Sequence, residues 1–256
     1  MSRPDAFSLA GRRIAVTGAN TGIGQGIAVA VARAGAAVVG IGRSSMDETA
    51  QLVDSAGGSF TPATVDLADI PAGVACIEAL MQDGPLDGLV NNAGIIRRAD
   101  AVDLSQADWD DVIDINLKSV FRLSQAYGRT LLSRGQAGRI VNIASLLSFQ
   151  GGIRVASYTA SKHGVLGLTR LLANEWASRG INVNAIAPGY IETNNTEALR
   201  KDAARSKSIL ERIPAARWGR PDDIGDAVVF LLAPASSYVH GAVSYTHLTL
   251  PTILLV

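Results

Sequence analysis

Cysteine is almost absent. Cys76 stands alone among 256 residues, so no internal disulfide can form and the fold must rest on its own core. A reducing cytosol is the expected setting. Excess charge is absent too: basic and acidic residues number 23 each. That balance offers no field to nucleic acid or to an anionic membrane surface. No apolar run reaches the roughly 18 residues that a membrane span needs. The opening stretch MSRPDAFSLAGRR has neither the apolar core nor the cleavage pattern of a secretory leader. Repeats, low-complexity tracts and linkers are also missing. The expectation is one cytoplasmic domain with no metal site.

What is present is a large apolar fraction, 48% against 18% charged. That suffices for a sizeable core and excludes a disordered chain. Short apolar, β-prone runs recur at Arg13–Thr17, Ala37–Ile41, Thr61–Val65, Leu86–Val90, Arg139–Ile143 and Ile181–Ile186. Between them lie helical patterns at Gln25–Ala34, Asp69–Met81, Ala107–Arg134, Ser157–Arg179 and Asp222–Leu232. Strands without polar alternation are buried on both faces. Alternating strands and helices predict an α/β fold, a Rossmann-type doubly wound parallel sheet with helices on both sides. The last stretch, SYTHLTLPTILLV, is apolar and β-prone, but Pro251 argues against a central strand there. Residues 1–243 therefore read as the catalytic domain and 244–256 as an atypical tail.

The first strand runs into Gly18-Ala19-Asn20-Thr21-Gly22-Ile23-Gly24 and then a helix. Glycine allows a pyrophosphate to approach backbone N–H groups, and the helix N-terminus adds partial positive charge. A glycine-rich turn that merely packs helix on strand has the same pattern. The second strand ends Gly40-Ile41-Gly42-Arg43, with no carboxylate for a ribose 2′-hydroxyl. Arg43 suits a 2′-phosphate and so NADP, although an exposed arginine there needs no role.

Tyr158 and Lys162 are four apart and share a helix face. An adjacent ammonium favours phenolate, which would make Tyr158 a general acid/base for an alcohol proton. Ser145 closes the strand before them, where open α/β sheets place ligands. Its hydroxyl can bond a substrate oxygen as charge develops. Asn116, in an earlier helix, reads equally well as a buried asparagine bonding backbone groups.

Together these pieces resemble the short-chain dehydrogenase/reductase family. The match comprises Thr17-Gly18-x-x-x-Gly22-Ile23-Gly24, Asn91-Asn92-Ala93-Gly94, Asn116, Ser145, Tyr158-x-x-x-Lys162 and Pro188-Gly189, in the family's order over residues 8–243. The resemblance implies hydride transfer between a nicotinamide dinucleotide and a secondary alcohol or ketone. It implies Tyr158 as acid/base, Lys162 on the nicotinamide ribose, Ser145 on the substrate oxygen and Asn116 supporting a water. It places Gly18, Asn20, Thr21, Gly22, Ile23 and Gly24 on the dinucleotide. Asp66 and Leu67 would lie at the adenine, and Asn92, Ala93 and Gly94 along the adenosine. Pro188, Gly189, Ile191 and Thr193 would meet the nicotinamide end.

Longer segments, Asn91–Arg98, Ile143–Lys162, Asn182–Tyr190 and Arg212–Gly219, resemble the family's sugar-acid dehydrogenases. That implies NAD(H) and a six-carbon deoxy keto acid of pectin breakdown. Arginine grips a carboxylate at two points. Arg154, Arg97 and Arg98 are the candidates, or else solvated loop arginines, and Gln150 could hold a sugar hydroxyl. The family forms homotetramers through a last strand that Ser244–Val256 does not match. That mismatch looks like foreign sequence on a truncated domain and would weaken assembly. Two other readings stand beside this one. An NADPH-dependent 3-oxoacyl or general carbonyl reductase fits Arg43. A non-catalytic dinucleotide-binding regulator would have to keep Asn116, Ser145, Tyr158 and Lys162 without a shared task.

Overall fold

The computed structural model describes residues 5–246. Among them seven strands form one parallel sheet: β1 (Arg13–Thr17), β2 (Ala37–Gly42), β3 (Ser59–Thr64), β4 (Gly88–Asn91), β5 (Gly138–Ile143), β6 (Ile181–Ala187) and β7 (Val243–Tyr245). Their order is β3-β2-β1-β4-β5-β6-β7. The order reverses between β1 and β4, which opens a crevice at the carboxyl ends of those strands. All six expected strands are present, within two residues at each end. Val243–Tyr245 form β7, an edge strand beside β6, so the sheet runs across the boundary expected between residues 243 and 244. Residues 247–256, including Pro251, lie outside the described residues.

Strand side chains alternate between two cores. Ile14 and Val16 enter one with helices α1 (Gly22–Arg33) and α9 (Pro221–Leu232), and Ala15, Val39 and Leu89 enter the other. Helices α3 (Ile70–Gln82), α5 (Ser119–Arg134) and α6 (Ala156–Trp176) cover the second core through Ile77, Leu123, Tyr127 and Leu172. Helix α2 (Asp47–Ser55) adds Val53 to the first. Caps fix the ends: Asp69 accepts from Ala72 N at 3.0 Å, and Gly135 ends α5 in the left-handed region.

The long helix expected over 107–134 has an interruption. Helix α4 (Gln106–Ile113) passes into a π-helical turn at Asp114–Lys118 before α5 resumes. The cause is tertiary. Asn116 is fully buried and its amide is committed to Ile95, 21 residues away. Widening one turn aims it there without ending the helix. Two short helices, α7 (Glu197–Lys201) and α8 (Ala203–Leu210), follow β6, and Ile209, Ile213 and Trp218 form a small core of their own.

Helices α1 and α9 cross at two glycines. A Cβ on Gly26 would lie 2.5 Å from Pro221 Cβ, and one on Gly225 would lie 2.6 Å from Ala30 Cβ. Backbones that close leave no room for side-chain growth. Gly26→Val is expected to lower stability by about 2–3 kcal/mol, read as an earlier urea midpoint with an unchanged slope. A midpoint equal to the parent's would show that the helices part without cost.

Candidate active site

The crevice at the β1/β4 switch measures about 490 Å³. Its floor begins with the turn after β1. Gly18 and Gly22 have φ of 66° and 57°, which the extra Cβ of other residues would strain. A Cβ on Gly24 would sit 2.0 Å from Gly18 O. The turn therefore has no room for a side chain at Gly24, and its residues line the crevice at the start of α1. Thr17 ties this turn to β4: its Oγ1 accepts from Asn92 N at 2.9 Å and Ala93 N at 3.0 Å. Asn92 Nδ2 returns the bond to Thr17 O at 2.9 Å. A rigid glycine turn at a helix N-terminus suits the pyrophosphate of a dinucleotide.

Every residue expected at the dinucleotide lines this one crevice: Gly18, Asn20, Thr21, Gly22, Ile23, Gly24, Arg43, Asp66, Leu67, Asn92, Ala93, Gly94, Pro188, Gly189, Ile191 and Thr193, with Tyr158 and Lys162. At one end Arg43 faces Asp66 at 3.7 Å, both largely exposed. Such a pair is weak in water and yields readily to a stronger anion. Asn20 Nδ2 donates to Ser44 Oγ at 2.9 Å beside it.

At the other end Ser145, Tyr158 and Lys162 converge. Ser145 sits two residues beyond β5, as N-cap of a 3-10 turn at Leu146–Ser148. Tyr158 lies in the first turn of α6, and Ser145 hydrogen-bonds its phenol. Lys162 is only 5% exposed. Its Nζ donates to Ile143 O at 2.6 Å and lies 5.6 Å from the Tyr158 ring centre. Asn116 stands behind, outside the lining, donating to Ile95 O at 2.9 Å and Ser161 Oγ at 3.3 Å. Ser161 Oγ in turn donates to Tyr158 O at 2.8 Å.

The electrostatics correct one expectation. Lys162 is not what lowers the phenol's pKa in the protein alone. Burial raises Tyr158, and the opposing pulls come from the Ser145 hydroxyl and the charge of Arg98. Lys162 is itself brought down to about 8 by loss of water around its ammonium. Desolvation thus moves both groups toward their neutral forms.

The expected substrate residues are dispersed. Gln150 and Arg154 do not line the crevice. Arg154 pairs with Asp100 at 3.3 Å, at a left-handed φ of 63°. Arg97 is held by Asp108 at 3.2 Å and Asp111 at 3.0 Å. Arg98 instead reaches over the mouth, its Nη2 donating to Asn195 O at 3.4 Å. Sequence reading missed Ser44, Ile95, Ile115 and Asn194–Thr196, all of which line the crevice. Ser44 follows Arg43 directly, so adjacency could have found it.

The lysine gives a signed prediction. Its folded pKa of about 8 lies below its ordinary value of 10.5. Between these values the unfolded chain binds the extra proton, so stability rises with pH from about 8 toward 10. Lys162→Met is expected to flatten that rise. It should add about 1–2 kcal/mol at pH 7, while turnover falls at least about a thousandfold. Urea midpoints across pH and initial rates check both. A less stable Met variant would mean that the ammonium is not a burden on the fold.

The chain matches known proteins along most of its length. A family model described as enoyl-(acyl carrier protein) reductase covers residues 18–247. The 2-dehydro-3-deoxy-D-gluconate 5-dehydrogenase of Dickeya dadantii is 54% identical over 93% of this chain and 94% of its own. A crystal structure from Agrobacterium tumefaciens with bound NADP, provisionally described as a 2-deoxy-D-gluconate 3-dehydrogenase, is 60% identical with a TM-score of 0.91. That match covers 95% of this chain and 97% of the other. The gluconate 5-dehydrogenase of Burkholderia cenocepacia, in complex with NADP and tartrate, is 38% identical with a TM-score of 0.88, over 95% and 96% of the two chains. With this fold, glycine turn and serine–tyrosine–lysine group, the chain belongs to the short-chain dehydrogenase/reductase family of NAD(P)-dependent oxidoreductases.

Proposed function

We propose that the protein interconverts a secondary hydroxyl and a ketone on a deoxy sugar acid, 2-dehydro-3-deoxy-D-gluconate or 2-deoxy-D-gluconate. The observation that carries this is the convergence of Ser145, Tyr158 and Lys162 at one end of a crevice whose other end is a glycine cradle. The identities of 54% and 60% to sugar-acid dehydrogenases support the substrate class.

A bound nicotinamide dinucleotide supplies the hydride acceptor or donor. The chain's own groups do the rest. The Ser145 hydroxyl holds the substrate oxygen beside the Tyr158 phenol. Tyr158 takes the alcohol proton in oxidation and returns it in reduction. Lys162, still protonated below about pH 8, stabilises the phenolate as it forms. Asn116 keeps the first turn of α6 in place through Ser161. A sugar acid also needs a cation for its carboxylate. Arg98, whose charge reaches Tyr158 and whose partner Asn195 lines the crevice, meets that need better than Arg154, which Asp100 engages.

Cofactor choice turns on Arg43. With Asn20 and Ser44 beside it and no carboxylate ending β2, a 2′-phosphate is accommodated. Both dinucleotides fit the cradle, and NADP(H) gains the Arg43 contact. Arg43→Ala is expected to weaken NADP binding about 10- to 100-fold and to leave NAD within about threefold, measured by fluorescence titration. Equal losses for both would remove the 2′-phosphate role.

No helix among the described residues is long and apolar enough to cross a membrane. We assign the protein to the cytoplasm on this and on its single cysteine. We read it as one catalytic domain, 1–243, with its C-terminal segment entering the last strand. Trp109 on α4 and Leu171 on α6 are exposed, and β7 is a sheet edge. These faces support a homotetramer.

The deciding assay gives the purified protein 2-deoxy-D-gluconate or 2-dehydro-3-deoxy-D-gluconate with NAD or NADP and follows nicotinamide absorbance. Turnover is expected with at least one pairing, and Arg98→Ala should raise KM for the acid about 10- to 100-fold. A folded, dinucleotide-binding protein that turns over neither acid, but reduces a 3-oxoacyl thioester, would replace the sugar-acid reading.

A further inference from the structure

Ser148 is not among the groups that line the crevice, yet it touches both halves of the proton-transfer site. It ends the 3-10 turn that Ser145 begins, and it is 1% exposed. Its Oγ donates to Lys162 O at 2.7 Å. The same oxygen accepts from Ser145 N at 3.3 Å. Ser145 Oγ meanwhile accepts from Leu147 N at 3.1 Å, which closes a capping box. One hydroxyl therefore joins the backbone of the residue that orients the substrate oxygen to the backbone of the lysine, from one element to the next.

The remaining ties in this region do not replace it. Lys162 Nζ reaches β5 through Ile143 O. Leu146 N reaches the turn after β6 through Pro188 O at 3.1 Å. Neither bonds the backbone of Ser145 itself to α6, as the Ser148 hydroxyl does. We propose that Ser148 is a positioning residue of the reaction, fixing Ser145 against the Tyr158–Lys162 helix so that its hydroxyl stays on the phenol.

A serine that keeps its bond to Tyr158 favours the phenolate. The other charged groups facing that phenol are Lys162, on its own helix, and Arg98, from the segment after β4. Neither charged head group bonds Ser148: the Lys162 ammonium donates to Ile143 O and the Arg98 guanidinium to Asn195 O. Loosening Ser145 should therefore move the tyrosine's titration upward while the charges around it stay in place.

The inference rests on the hydroxyl–ketone reading of the site, so its test includes a readout that needs no substrate. Parent, Ser148→Ala and Ser148→Thr are titrated by phenolate absorbance with NADP bound, each against its own Tyr158→Phe partner. Initial rates are measured across pH beside them. Ser148→Ala is expected to titrate about 0.5–1 pH unit higher and to lose about tenfold in kcat. Its affinity for NADP should stay within about twofold. Ser148→Thr, which keeps the hydroxyl, should restore both. An Ala variant that titrates with the parent and keeps kcat within about twofold overturns the proposal, whatever its melting temperature. If Ser148→Ala does not fold, Ser148→Cys, a weaker donor of similar size, is judged by the same two criteria. A parent without turnover would sink the reaction reading, and the titration would still decide the role of Ser148.

Discussion

A lysine ammonium held in the protein interior is the constraint around which the site is organised. Lys162 is almost fully shielded from water, and desolvation has brought its pKa down to about 8. A group in that position needs a fixed acceptor, and Ile143 O at the end of β5 supplies one at 2.6 Å. That contact ties α6 to the carboxyl end of a central strand. Tyr158, one turn earlier, is thereby placed beside Ser145, which leaves the same strand end. The geometry of proton transfer follows from satisfying one buried charge.

A second requirement is room at the switch point. A parallel sheet offers a crevice only where the chain departs in opposite directions from adjacent strands, here β1 and β4. The chain keeps that crevice open by removing side chains. The Gly18–Gly24 turn would collide with itself if Gly24 carried a methyl group. Stitching by Thr17 and Asn92 holds β1 and β4 at the spacing that the turn needs. The small residues at α1 and α9 serve the same end from below, bringing both helices close under the sheet.

Local signals carried much of this. Apolar runs located the inner strands because strands buried on both faces need no polar alternation, whereas the edge strand β3 has no buried residue. The glycine turn and the Tyr158–Lys162 spacing were legible because each depends on neighbours in sequence. What escaped reading depends on partners far along the chain. The π-helical turn at Asp114–Lys118 exists because Asn116 bonds Ile95, and no periodicity records that pairing. Arg154 looked well placed between Ser145 and Tyr158, but Asp100, 54 positions earlier, engages it. The direction of the Tyr158 shift was misjudged for a related reason. Spacing puts the ammonium on the right face, yet burial dominates both groups, and the pulls that oppose it at Tyr158 come from Ser145 and Arg98.

Asn116 links these observations. Its amide holds both backbone groups of Ile95, beside the crevice, and also reaches Ser161 under Tyr158. The strand β4 segment, the π-helical turn and the first turn of α6 are thus joined through one buried side chain. An α-helical turn would rotate that amide away and leave it without partners in the interior, at a cost of about 1–3 kcal/mol per lost group. The widened turn costs less, because the backbone bonds continue on either side of it. A local departure from regular helix is therefore what lets three separate elements share one fixed frame, and a frame of that kind is what general acid–base chemistry at Tyr158 requires.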